Sequence, residues 1–283
     1  MRAWVGKDDK HEAWVQFVRH WTTRLRAALG GAYTVVESEH FHLLSALDEK
    51  ARNRMLAFLE QARSALLRTL GDVAWISATG KHIVLRFTDT DDYFAYISHF
   101  YPDGEHASSG GVCLQGGYVH IAYQEAYTMD IERQIIAHEM AHNLLAHLPL
   151  PRWLNEALAR AFEYDLSGHR PPPLNDDLID EHRAYWNAET IQKFWIGRSF
   201  GDVEGQNVSY SLAQILLAII HREVKPTPEA FRRFVKQSDW NDAGEAAARE
   251  QLECGLGEIA AVFLGDGDWT PKPDTWKAES GGN

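Results

Sequence analysis

Between residues 11 and 29, Trp14, Val15, Phe17, Val18, Trp21, Leu25 and Leu29 recur at three- and four-residue intervals until Gly30-Gly31 interrupts them, which predicts an amphipathic helix. "AYTVVESEHFHLL" changes the period and reads as extended chain, rich in β-branched and aromatic residues. A second helical stripe, Met55, Leu59, Leu66 and Leu70, predicts a long helix over 48–70 that Gly71 stops. "KHIVLRFT" reads as a strand, and the acidic "DTDD" caps a short helix holding Tyr93, Phe94, Tyr96 and Ile97. "SSGGVCLQGGYVHIAY" alternates around a Gly-Gly turn, as a hairpin does. Two helical patterns follow, over roughly 130–147 and 154–166.

After residue 166 the pattern changes. "GHRPPPLNDD" reads as a proline-rich loop and "WNAETIQKFWIGRSFGD" as an irregular aromatic stretch. "SYSLAQILLAIIHRE" is a strongly apolar helix, "TPEAFRRFVKQ" and "DAGEAAAREQL" are two more, and "GDGDWTPKPDTWKAESGGN" is a Pro/Gly-bearing tail. No internal repeat or long low-complexity linker is present. The expected organisation is an N-terminal helix over 1–32, a mixed α/β lobe over 33–166, and a helical lobe with its tail over 167–283. The fold class is α+β: a small mixed α/β N-terminal lobe followed by a mainly helical C-terminal one.

Composition narrows the function classes. With 283 residues, 45% of them hydrophobic, and ten tryptophans, the chain has ample material for a packed core. Its net charge of −12 comes without a basic stripe, which argues against a nucleic-acid partner. The two cysteines, Cys113 and Cys254, form no CxxC pair and no disulfide framework. No segment reaches the ~18 consecutive apolar residues of a spanning helix, and "MRAWVGKDDKHEAW" has no apolar leader core. The expectation is a cytoplasmic protein with no membrane partner, or a secreted one if the native start is longer.

Chemistry concentrates in "HEMAHNLLAHLPLPRWLNE", residues 138–156. His138 and His142, at i and i+4, are neighbours on one helical face, about 5–6 Å apart at Cβ, a bite suited to two ligands of a tetrahedral Zn²⁺. Glu139 is rotated about 100° from His138, so it reaches a metal-bound water without ligating the metal. Such a water is acidified toward ~7, and a nearby carboxylate takes its proton and passes it to a leaving amine. HExxH alone arises by chance in unrelated helices, so a third ligand decides.

His147 lies five residues after His142, whereas the metzincin pattern requires a Gly at the third and a His at the sixth; those positions are Leu145 and Leu148. His147 reads instead as a helix C-terminal histidine, and Asp165 has nothing around it to recommend it. Glu156 is the best candidate. Pro149 and Pro151 end the first helix, and a second one starting near Leu154 carries Glu156 in its first turn. Two helices joined by a short turn bring it opposite the His pair, as a His₂Glu site with an open fourth position requires.

"HEMAH…LPRWLNEALARAFE" resembles the gluzincin metallopeptidases, specifically the peptidase-MA-like group with W-L-N-E-G-L-A-x-x-x-E after HExxH. The specific match covers about thirty residues, and a similar order of elements covers 33–264. Ala157 departs from the family's Gly but keeps a small residue. The resemblance implies a zincin-type active-site helix in the N-terminal lobe and zinc held by His138, His142 and Glu156. It implies further that Glu163 orients a ligand or supports the Glu156 helix, and that Tyr210 is the donor to the developing oxyanion. Substrate would add as a strand along the edge "GGVCLQGGYVHIA", with Gly111 and Val112 as its contacts. The expected function is a zinc metallopeptidase acting on a peptide or protein. The alternative is a gluzincin-fold protein that binds zinc without turnover. Glu139 and an open fourth position favour the enzyme, because a structural zinc is usually closed by a fourth protein ligand.

Overall fold

The structure, a computed structural model, describes residues 7–74, 80–101, 110–168 and 174–276. The chain is a mixed α+β protein made of two compact units, the first ending at Ala146 and the second beginning at His147.

The first unit is a five-stranded sheet with helices on both faces. Helix α1 (Lys7–Leu29) leads into a hairpin of β1 (Thr34–Glu37) and β2 (Phe41–Ser45). Helix α2 (Glu49–Leu70) carries the chain to β3 (His82–Phe87), parallel to β2. Its start is fixed by the Asp48 carboxylate, which accepts from the Ala51 N–H, and its end by Gly71 at φ 59°. Helix α3 (Thr90–Ile97), capped by Asp89, then precedes β4 (Gly111–Leu114) and β5 (His120–Gln124). The sheet order is β1-β2-β3-β5-β4, with β5 parallel to β3 and β4 antiparallel to β5. Among the described residues β4 is therefore an edge strand. Helix α4 (Met129–Leu145) completes the unit, with Thr128 as its cap. The hairpin expected around the Gly-Gly turn is present, although its Ser108 and Ser109 lie outside the described residues.

Strand β3 is buried along its whole length, as a parallel strand covered on both faces should be. Its Ile83, Leu85 and Phe87 join Val18, Leu44, Tyr93, Ile97, Leu114 and Ala122 in one core cluster. His82, Val84 and Arg86 alternate onto the opposite face, where Tyr123, Gly111 and α4 lie. A polar residue thus stands at each end of an otherwise apolar face.

Among its described residues the second unit has only helices: α5 (Arg152–Ser167), α6 (Asp176–Tyr185), α7 (Thr190–Trp195), α8 (Gln206–Ile219), α9 (Pro228–Gln237), α10 (Glu245–Gln251), α11 (Leu256–Leu264) and α12 (Pro273–Trp276). The apolar helix expected at 209–223 is α8, lengthened by a π-helical segment over Ile220–Val224. One expectation changes. The aromatic stretch read as irregular contains α7 and a 3₁₀ turn over Arg198–Phe200, whose Phe194, Trp195 and Phe200 are core residues. The tail is anchored: Trp195 Nε1 donates to the Trp269 carbonyl at 2.8 Å, and Gln192 bonds Thr270, Lys272 and Trp276. Residues 169–173 of the proline-rich loop and 277–283 of the tail lie outside the described residues. Among the described residues no helix is long and apolar enough to cross a membrane.

Two histidines are held neutral in these cores. Burial, with Arg63 adding to it, pushes His82 down to about 4, and burial alone does the same to His182. His182 accepts from Trp186 Nε1–H at Nδ1, so its Nε2–H faces Ser211 Oγ. Both groups take a proton near pH 6.5 when unfolded but only near pH 4 when folded, so the unfolded state binds more protons between those values. Stability is therefore full above pH 6.5 and is lost as pH falls toward 4, by up to about 1.4 kcal/mol per unit for each such group. Glu37, held at about 2 by Arg19 and Lys81, adds its loss only below the usual carboxylate range. Urea unfolding midpoints measured from pH 7.5 to 4.5 check this; a flat profile over that interval would refute it.

Candidate metal centre

Two imidazoles on α4 converge. His138 Nε2 and His142 Nε2 are 3.1 Å apart, with the rings at 80° to each other. Two nitrogens bound at 2.0–2.1 Å to a tetrahedral centre are about 3.3 Å apart, so the pair already has close to the separation that zinc requires. Both rings are partly exposed, whereas Glu139 between them is 8% exposed.

Glu139 is confined by the edge strand. A Cβ placed on Gly111 would come within 2.4 Å of Ile135 Cγ2 and 3.4 Å of Glu139 Cγ, so only glycine lets β4 approach α4 this closely. Val112 alternates away and packs against the core cluster on the other face. Cys113 returns to the α4 side. Burial and then the Glu139 charge push its thiol up, while the Asn143 side chain opposes them. Cys113 and Cys254 are both free thiols.

Beneath the histidines lies a set of polar side chains that the motif does not include. Asn143 Oδ1 accepts from His82 Nδ1–H at 2.8 Å, and Arg63 Nε–H points at His82 Nε2 at 3.4 Å, which fixes the tautomer. At the other end of α4, Glu132 takes a two-pronged ion pair from Arg86 at 2.8 and 2.9 Å, with Tyr123 Oη and the Ala126 N–H adding to it. The available signal was polar residues inside apolar patterns: His82 and Arg86 in "HIVLRF", and Glu132 and Asn143 on the buried helix.

In the second unit, Glu156 lies in the early turns of α5, and its side chain is 13% exposed. Arg152 approaches it at 4.0 Å from one turn before, with its guanidinium over the Phe200 ring at 5.3 Å. Glu163 is buried and receives Arg160, one turn before it on α5, at 2.7 and 2.9 Å. Tyr210, on α8, packs edge-on against Phe200 and acts electrostatically on Arg160. His147 is exposed in the turn after α4, and Asp165 is exposed on α5.

No protein-family model matches the chain, and no curated protein matches it.

In the first unit His138, His142 and Glu139 share α4, with Gly111 against Glu139. In the second, Glu156 and Glu163 share α5, and Tyr210 sits on α8.

Proposed function

We propose that the protein is a zinc-dependent metallopeptidase of gluzincin type, its first unit a zincin-type lobe. The observation that carries the reading is the 3.1 Å convergence of the two Nε2 atoms, on residues one before and three after a buried glutamate. Helix geometry makes an i,i+4 histidine pair neighbours but does not by itself point both ring nitrogens at one spot. His138 and His142 would hold the metal with Glu156 as third donor, a carboxylate and two imidazoles being an apt set for zinc. Zinc so held supplies Lewis acidity toward water and a peptide carbonyl.

Everything else falls to the chain's own residues. Glu139 accepts the proton of the attacking water and returns it to the departing amine. Its burial suits that task, because a carboxylate shielded from bulk water is a better proton acceptor. Tyr210 Oη donates to the oxygen that becomes negative. An extended peptide pairs with β4 through the backbone of Gly111 and Val112, and Gly111, lacking a side chain, keeps that strand close to Glu139.

Purified protein is expected to carry about one zinc per chain by elemental analysis, and Glu156→Ala to retain it more than about 100-fold less tightly. Metal-free protein that gains no thermal stability from added zinc would remove the metal site. Unchanged affinity in Glu156→Ala would remove the carboxylate from it.

A further inference from the structure

The buried stripe of α4 carries more than packing. On a helical wheel Glu132, Glu139 and Asn143 fall within about 40° of one another, while His138 and His142 lie roughly 80° to 140° round from Glu132 and Asn143. Two of the three stripe residues are tied to the same strand. Asn143 bonds His82 at one end of β3, and Glu132 bonds Arg86 at the other. The strand sites are four residues apart, about 13 Å, and the helix sites eleven apart, about 16 Å. Helix and strand run in opposite senses between two polar ties, with the third stripe residue, Glu139, between the tied positions.

We infer that Asn143 and His82 are positioning residues: their hydrogen bond sets the rotation of the last turns of α4, and through it the zinc affinity of the His138–His142 pair. Three observations carry this. Asn143 and His82 are 2% and 9% exposed, so the bond is shielded from competing water. Asn143 directly follows His142 and stands one turn after Glu139, so turning it turns both. Its amide also meets the Cys113 thiol on the edge strand, so one side chain ties α4 to both β3 and β4. An apolar residue here would bury as well but would leave the helix free to rotate by a few degrees. Such a rotation carries both Nε2 atoms together away from the rest of the donor set, and metal affinity depends on donors held to within about 0.5 Å.

The inference rests on the zinc reading, and one set of measurements separates the two. Zinc affinity of the full chain is measured by competition with a chromophoric chelator, alongside urea stability. His82→Phe and Asn143→Leu are each expected to weaken zinc about tenfold, at the lower end of what outer partners of metal ligands contribute. His82→Asn puts a donor where Nδ1 stood and should keep affinity within about threefold of the parent. The double variant His82→Phe/Asn143→Leu replaces both partners by apolar groups, so it should recover stability over either single variant yet bind zinc as weakly as they do. It also keeps the test intact if a single variant fails to fold. Val18→Ala, in the core on the other face of the sheet, should lower stability and leave zinc affinity unchanged.

Zinc affinity within twofold of the parent in the double variant overturns the inference and leaves the metal site standing. So does a His82→Asn variant as weak as His82→Phe. A parent chain that binds no zinc overturns both.

Discussion

Glu139→Gln is expected to abolish peptide hydrolysis, by at least about 10² and up to 10⁴-fold, while the protein keeps its zinc. The substitution preserves shape: Glu139 is 8% exposed, in a slot where even a methyl group on Gly111 would sit 3.4 Å from its Cγ. Glutamine fills the same volume and still accepts a hydrogen bond, but its amide cannot take a proton from water. The loss should therefore fall on kcat, with KM little changed, since the carboxylate acts in the transition state and not in holding the peptide. A casein or quenched-peptide assay on zinc-loaded parent and variant measures it, with zinc content determined on the same samples. Retention of more than a tenth of the parent rate would remove Glu139 as the base. Loss of zinc along with activity would assign it to the metal shell instead. A zinc-loaded parent that cleaves nothing favours the non-catalytic alternative, in which the charge of Glu139 merely balances the site.

The elements that the sequence disclosed are those whose burial is one-sided. Helix α2 was legible because Met55, Leu59, Leu66 and Leu70 face one core and are bracketed by Asp48 and Gly71. The β4–β5 hairpin was legible from its Gly-Gly turn. Helix α6 was not, because "DDLIDEHRAY" has few apolar residues and buries His182, a residue that no hydrophobic pattern counts. Helix α7 was hidden for a different reason: its six residues make fewer than two turns, too few to show a period. The prolines and glycines of the tail say nothing of its anchoring, which tryptophan N–H groups and Gln192 make through backbone carbonyls that composition cannot reveal. In the site, spacing alone named His138, Glu139 and His142, because i,i+4 is a local relation. Asn143, His82, Arg86 and Glu132 are joined across 61 and 46 residues of chain, and nothing local marks which buried polar residue will meet which.

Arg86→Met is expected to cost about 3–5 kcal/mol of folding stability, the largest loss foreseen from a single change outside the active residues. Arg86 is 5% exposed and Glu132 2%, and the guanidinium meets the carboxylate through two parallel bonds at 2.8 and 2.9 Å. Burial alone would pull the Arg86 pKa down; the Glu132 carboxylate more than offsets it and leaves the pKa raised. Removing the cation strands a carboxylate with only Tyr123 Oη and the Ala126 N–H, both at 3.3 Å, to compensate it. Lysine would not rescue it, since a single ammonium cannot reproduce the planar fork. The double variant Arg86→Met/Glu132→Leu should recover most of the loss, because the high cost lies in the unpaired buried charge and not in the absence of the pair. Urea denaturation with unchanged m-value measures both, on zinc-free protein so that metal binding does not mask the difference. If Arg86→Met loses less than about 1 kcal/mol, water reaches Glu132 and the α4 start is not sealed against the sheet. If the double variant stays as unstable as the single one, the ion pair itself, through its geometry, holds α4 on β3.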